Sequence, residues 1–277
     1  SEIQTNVSVG YGNNADNKQI YFNKYILTSN RILNRRLPQI NQSQGWNFSN
    51  SNIFTGLFGL YDMLFLSFNW YSGSQNQVQS NTFDPSTVVT QLLSQKNSIQ
   101  SFSSHGMFKT DAFSNKLLFE LNYNIMVNWA DQSFNNILRK TNTNIANVQS
   151  SIDYYPTTKF GIKSNINFSQ FGSNFTPPSY TISYFNQAQY IPFKDVTMKL
   201  DLNLVQNTIN KQSNLNSVFG VEISYKLNSK KLQFILQGTN LTNIINYQIL
   251  KQTIFQLQES YYQIRPRQIF LSVRKWV

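Results

Sequence analysis

The stretch LLFELNYNIMVNWA, residues 117–130, places Leu117, Phe119, Leu121, Tyr123, Ile125, Val127 and Trp129 at every second position, with Glu120, Asn122, Asn124 and Asn128 among the residues between them. A period of two is the mark of an extended strand with one apolar and one polar face. At the rise of a strand these positions span about 40 Å, enough for a tilted strand to cross a bilayer. DVTMKLDLNLV, residues 195–205, repeats the pattern, with Val196, Met198, Leu200, Leu202 and Leu204 set against Thr197, Lys199, Asp201 and Asn203. A single such strand fits a soluble sandwich, where the apolar face meets a core, and equally an outer-membrane barrel, where it meets lipid.

Composition separates the two. Hydrophobic residues make up 40% of the 277 residues and aromatics 15%, but charged residues only 13%, against roughly 25% in soluble domains. The polarity is carried by neutral Asn, Gln, Ser and Thr, which suits a wall wet on one side and oily on the other better than a charge-dispersed soluble surface. The 15 Tyr, 22 Phe and 4 Trp fit the same picture, because Tyr and Trp favour boundaries where one end of the ring is wet. Regular alternation and aromatic content both argue against a disordered Asn/Gln-rich polymer.

No stretch approaches the roughly 20 apolar residues of a membrane-spanning helix, so a barrel is the one way for such a chain to span. The opening SEIQTNVSVGYG already alternates Ile3, Thr5, Val7, Val9 and Tyr11 against Gln4, Asn6, Ser8 and Gly10. It is not a signal segment, so an exported form is expected to have been processed or truncated. The absence of cysteine removes disulfides and thiolate chemistry.

Read backwards from the C-terminus, alternating segments recur. They are QIRPRQIFLSVRKWV, LQFILQGTN, SVFGVEISYKL, DVTMKLDLNLV, YTISYFNQAQY, KFGIKSNINFSQF and LLFELNYNIMVNWA. Tight connections are expected at 111–116, 155–159, 191–195 and 227–231, each with Pro, Asp, Asn or Ser and a nearby Lys. Longer polar loops are expected at 130–142, 172–179, 206–214 and about 243–257. Short turns on one side and long loops on the other match the layout of an outer-membrane barrel. With early strands placed near 1–11, 18–30, 43–58, 60–74 and 97–110, the count reaches about 13, the first running inward from outside. Bacterial barrels have even strand numbers, so the odd count predicts a C-terminal portion of a larger barrel or one piece of a split one, occupying all of 1–277.

Catalytic chemistry finds little footing. His105 is the only histidine, which excludes a His-based triad or a His-rich metal site within this chain. It reads as an ordinary wall residue. Glu120 and Glu222 are expected on the polar face without diagnostic pairing, and Asp201 with Lys199 as an ion pair on one strand face. No glycine-rich phosphate loop is present. No enzyme and no cofactor is expected. Arg31, Arg35 and Arg36 form the densest charge cluster, read as a solvated loop, with a contact to lipopolysaccharide phosphates or an acidic ligand as the alternative. The net charge of +11 invites a nucleic-acid reading, but the charges are spread along the chain and the aromatics lie on the apolar faces, so no nucleic acid is expected as partner.

The C-terminal 45 residues or so carry a resemblance. Asn240, Leu241, Thr242 and Asn243, an aromatic at Tyr247, and a final strand introduced by Pro266 and Arg267 and carrying Ile269, Leu271 and Val273 resemble the end of TonB-dependent outer-membrane receptors of the type abundant in Bacteroidota. Members of that family usually end on an aromatic, whereas this chain ends Lys275, Trp276, Val277. The resemblance implies a 22-stranded transmembrane barrel in the bacterial outer membrane, with lipid and lipopolysaccharide around it. It also implies nutrient transport powered by the energy-transducing TonB complex through N-terminal parts that have no counterpart here. A lipoprotein or other outer-membrane partner would be compatible. The alternative expectation is a non-transporting, receptor-like barrel serving as a structural or assembly subunit of a larger outer-membrane complex. A soluble extracellular sandwich or adhesin would have to hide many aligned aromatics.

Overall fold

The computed structural model describes residues 2–16, 22–29, 32–36, 41–57, 62–83, 88–113, 116–252 and 257–275. Within them the chain is all-β. The strands are β1 (Glu2–Asp16), β2 (Phe22–Ser29), β3 (Ile32–Arg36), β4 (Asn41–Thr55), β5 (Met63–Phe83), β6 (Val88–Ala112), β7 (Leu117–Phe134) and β8 (Ile137–Thr157). They continue as β9 (Phe160–Ser173), β10 (Ser179–Phe193), β11 (Val196–Ile209), β12 (Gln212–Leu227), β13 (Leu232–Thr239), β14 (Asn246–Gln252), β15 (Leu257–Gln263) and β16 (Gln268–Lys275).

Twelve of these form one antiparallel path, β1-β4-β5-β6-β7-β8-β9-β10-β11-β12-β13-β16, in which almost every neighbour in sequence is a neighbour in space. The hairpin β2–β3 joins the same sheet off this path, β3 pairing in parallel with the far end of β6 from Ile32–Val88 to Arg35–Gln91, whereas β14–β15 forms a separate two-stranded sheet. The expected count of about 13 is thereby corrected. The segment near 18–30, described over Phe22–Ser29, lies off the antiparallel path in the β2–β3 hairpin, and its removal makes the count of that path even. The direction assigned to the first strand changes with it: Glu2 pairs with Thr55 beside the β4–β5 turn, so β1 starts at the short-turn rim, where β16 ends. Among the described residues β1 and β16 are not paired with each other, and the sheet is open.

Register fixes the faces, because directly paired residues share a side of the sheet. Phe108 pairs Leu121, Leu121 pairs Ser150, Ser150 pairs Ile166, Ile166 pairs Tyr184 and Tyr184 pairs Leu204. The opposite face carries the row Ser67–His105–Asn124–Asn147–Ser169–Thr181–Asn207–Asn214. The alternation read from the sequence thus becomes two continuous surfaces, one mainly apolar and one mainly of neutral amides and hydroxyls with a few charged side chains among them.

The short turns lie where Pro, Asn and Asp predicted them, at Phe113–Lys116, Thr158–Lys159, Lys194–Asp195 and Asn228–Lys231. Of the long loops, the one after β9 holds, over residues 174–178. Residues 130–142 are instead strand, closed by a two-residue turn at Asn135–Asn136 with φ of 46° and 66°. Residues 206–214 likewise close at Asn210–Lys211 with φ of 48° and 66°. Two consecutive left-handed residues make the turn whose twist matches that of the strands, and Asn tolerates that conformation. These segments lack alternation because polar side chains stand on both faces there, which is why the sequence read as loop.

β5 and β6 run to 21 and 25 residues, about twice the 9–11 that a tilted strand needs to cross a bilayer. Their far ends turn over at a bulge between Gln75 and Gln77, so that β5 comes to pair in parallel with the end of β7 through Ser80–Ser133. Asn97, almost wholly buried, holds this crossing. Its side chain accepts from the Asp131 N–H at 2.8 Å and donates to the Gln77 carbonyl at 3.4 Å.

Gly106 on the apolar face is covered by the ring of Tyr123, and a Cβ there would fall into that ring. The ring in turn brings its hydroxyl 3.1 Å from Ser104 Oγ. Gly106→Ala is expected to push Tyr123 off the sheet and lower stability by about 1–3 kcal/mol. A melting curve of the folded protein would read this, and an unchanged midpoint would refute the role of the glycine.

Candidate functional site

Burial is inverted. Among the described residues the buried hydrophobic side chains are Val78, Ile209 and Ile235, whereas twelve polar residues are buried, including Asn81, Asn97, Thr141, Asn207, Asn216, Ser224 and Asn240. The exposed side chains include Val9, Trp46, Trp70, Ile166, Tyr190, Leu200, Leu236 and Leu271, all on the apolar face. A water-soluble fold reverses this distribution.

The polar face is cross-linked at the half nearer the short turns. Lys163 Nζ lies 3.2 Å from Asp153 Oδ2, and Lys199 Nζ lies 3.2 Å from Glu222 Oε1. The expected Lys199–Asp201 pair is not formed: Asp201 accepts from Gln187 Nε2 at 2.8 Å instead. The reason is geometric, since directly opposite residues on adjacent strands approach more closely than residues two apart on one strand. Glu120 accepts from Asn122 at 2.7 Å, and His105 stands in the polar row with its ring centroid 5.6 Å from that of Phe65.

The most organised feature is the corner where β13 leaves the sheet. Asn240 and Asn243 both adopt left-handed backbone, with φ of 49° and 57°, a conformation Asn accepts at little cost. The Asn240 amide donates to the carbonyls of Ile244 at 2.6 Å and Arg265 at 2.8 Å, and its oxygen accepts from the Ile244 N–H at 3.1 Å. Asn243 Oδ1 accepts from the Arg267 N–H at 3.0 Å. Thr242 Oγ1 donates to the Ser217 carbonyl at 2.7 Å, the Leu241 N–H to that of Phe219 at 2.8 Å, and the Leu241 side chain packs over Gly238. The motif Asn240–Asn243 and the Pro266–Arg267 element, separated by more than 20 residues, are therefore the two halves of one clamp that closes the base of the β14–β15 hairpin.

That hairpin bends over the polar face. Asn214 Nδ2 donates to Gln248 Oε1 at 2.7 Å and Asn216 Nδ2 to the Gln248 carbonyl at 3.0 Å, seating β14 against β11 and β12. In β15, the Glu259 carboxylate beside the exposed Tyr261 phenol raises its pKa above the ordinary value of 10.0. Sequence reasoning read this region as a variable loop, and the cue it passed over is the pairing potential of NYQILKQ with LQESYYQ.

Of the other residues singled out from the sequence, Tyr247 lies in β14 opposite Tyr262, with its side chain outside the described residues. Ile269, Leu271 and Val273 share the exposed apolar face of β16. Arg31 lies outside the described residues, as do the side chains of Arg35 and Arg36, whose backbones end β3. Among the described residues no group of three His, Asp or Glu side chains could hold a metal ion. A polar cleft of about 410 Å³ opens at the long-strand end between Asn13, Gln44, Ser74, Asn76, Gln95 and Lys96. No protein-family model matches this chain, and no curated protein matches it either.

Proposed function

We propose that this chain is wall of an outer-membrane β-barrel of the TonB-dependent receptor type, serving nutrient uptake across the bacterial outer membrane. The observation that carries this reading is the inverted burial: a continuous exposed apolar face backed by a polar face with buried amides. Lipid removes the penalty of the first, and a wet lumen accounts for the second. Tyr180 and Tyr190 bracket the apolar face of β10, about 33 Å apart along the strand. At a tilt of about 40° that is a height of about 25 Å, the thickness of the apolar band of outer-membrane barrels. The β14–β15 hairpin, bent over the polar face, narrows the lumen as a constriction. The C-terminal clamp supports the receptor assignment, since its two halves are the two parts of the resemblance.

The open edges favour a second reading. A bilayer does not tolerate unpaired strand edges, so β1 and β16 must be closed by strands beyond this sheet or by each other. A wall completed by another subunit would make the chain a structural component of a larger outer-membrane complex. Fractionation of cells producing the full-length protein tests the common ground: it is expected in the outer membrane, resistant to urea extraction and faster-migrating on gels when unboiled. Recovery in aqueous extracts without detergent would overturn both readings. Energy-dependent loss of uptake of a nutrient on deletion would then select the transporter.

A further inference from the structure

The short-turn rim carries one pattern five times. Turn β6–β7 ends on Lys116, β8–β9 on Lys159, β10–β11 holds Lys194, β12–β13 holds Lys230 and Lys231, and β16 ends on Lys275. All six side chains are exposed. Neither of the two ion pairs among the described residues involves them, since those join Lys163 to Asp153 and Lys199 to Glu222 higher on the polar face. The carboxylate within these turns is that of Asp195, which accepts from Asn228 at 2.7 Å. Successive turns are two strands apart, about 10 Å, close to one Debye length at physiological salt, so each lysine adds to the potential of the next.

Exposed aromatics stand on the apolar face near three of these turns. Phe193 is 71% exposed beside Lys194, Tyr225 is 43% exposed on the strand that pairs with β11 at this rim, and Tyr154 is 38% exposed just before the β8–β9 turn. An apolar ring in the acyl region with an ammonium a few ångströms further out is the arrangement that holds a polypeptide at the phosphate level of a leaflet. The β4–β5 turn offers no described lysine, so the cationic fringe runs from β6 to β16 and is not a general property of the rim.

We infer that this fringe binds the headgroups of anionic phospholipid in the leaflet at the short-turn rim, fixing the depth and tilt of the wall. The inference rests on the membrane-wall reading above. Phospholipid is favoured over an acidic protein because the lysines follow the sheet edge in single file beneath lipid-facing rings and do not converge on a patch.

The test uses the full-length protein, purified in mild detergent and titrated with phosphatidylglycerol and with phosphatidylcholine, with bound lipid counted by native mass spectrometry. Wild-type protein is expected to retain phosphatidylglycerol at least about fivefold better than phosphatidylcholine, the factor that one lysine near an anionic surface supplies. The preference should vanish in 1 M salt and in the combined variant K116Q/K159Q/K194Q/K230Q/K231Q/K275Q. Urea resistance and unboiled gel mobility of that variant show separately that the wall still assembles. Equal retention of the two lipids by folded wild type, or an undiminished preference in the folded variant, overturns the inference while leaving the wall reading intact. Release of a bound acidic protein by the variant, with no lipid preference in the wild type, overturns it in favour of protein docking. Failure of the wild type to enter membranes at all would remove the wall reading and this inference together.

Discussion

Leu121→Arg is expected to block assembly of the protein into the outer membrane, whereas Asn122→Arg, one residue further on, should assemble close to wild type. Leu121 lies in the apolar row between Phe108 and Ser150, and Asn122 in the polar row between Met107 and Gln149. An arginine on the lipid face near the bilayer midplane costs about 2–4 kcal/mol, which is a large part of the stability of an ordinary domain. On the polar face the same guanidinium stays in water beside Glu120, whose carboxylate already accepts from Asn122, and the change is expected to cost little. The yield of urea-resistant protein in membranes reads both. Equal tolerance would contradict the assignment of faces, and with it the proposal that the apolar face meets lipid.

The second large effect is expected at Asn240. Asn240→Ala removes one side chain that serves three backbone groups, and leaves the Ile244 N–H and the carbonyls of Ile244 and Arg265 without it. Asn240 is 6% exposed, so water does not readily replace those bonds. Leaving buried polar groups unpaired costs about 1–3 kcal/mol each, and alanine at a positive φ adds about 1 kcal/mol. The hairpin base is expected to open, and hydrogen exchange across residues 244–265 should accelerate by about a hundredfold or more, with the strands β6–β10 unaffected. Asn240→Asp keeps the acceptor for the Ile244 N–H but sets a carboxylate against two carbonyl oxygens. It should therefore loosen the hairpin nearly as much. Unchanged exchange in both variants would refute the clamp.

The clamp shows how far a sequence can be read. Asn240, Leu241, Thr242, Asn243, Pro266 and Arg267 stood out as a pattern, but nothing in their order says that the Asn240 amide closes on Arg265 or that Asn243 receives the Arg267 N–H. Those are contacts across a hairpin, and the hairpin itself carries no clear alternation because it is not a wall strand. The same limit explains the ion pairs. Lys199 and Asp201 are neighbours along one face of β11, and the sequence shows that, but the partner Glu222 comes from the register of β12.

Two-residue periodicity by itself determined the halves of β6, β7, β9, β10, β11 and β12 nearer the short turns, with β13 and β16, and their faces, because pairing across a sheet conserves side; β8 and the far ends of β6, β7, β11 and β12 emerged from the pairing alone. Turn chemistry likewise determined the short rim, where Pro, Asn and Asp leave few alternatives. The tertiary structure decided what periodicity does not encode: that β2 and β3 leave the antiparallel path and β3 pairs in parallel with β6, that β5 reaches β7 past the end of β6, and that β14–β15 bends over the polar face. Where a strand is not part of a sheet with one apolar and one polar face, alternation does not mark it, and long-range backbone pairing and buried amides such as Asn97 and Asn240 fix where strands lie.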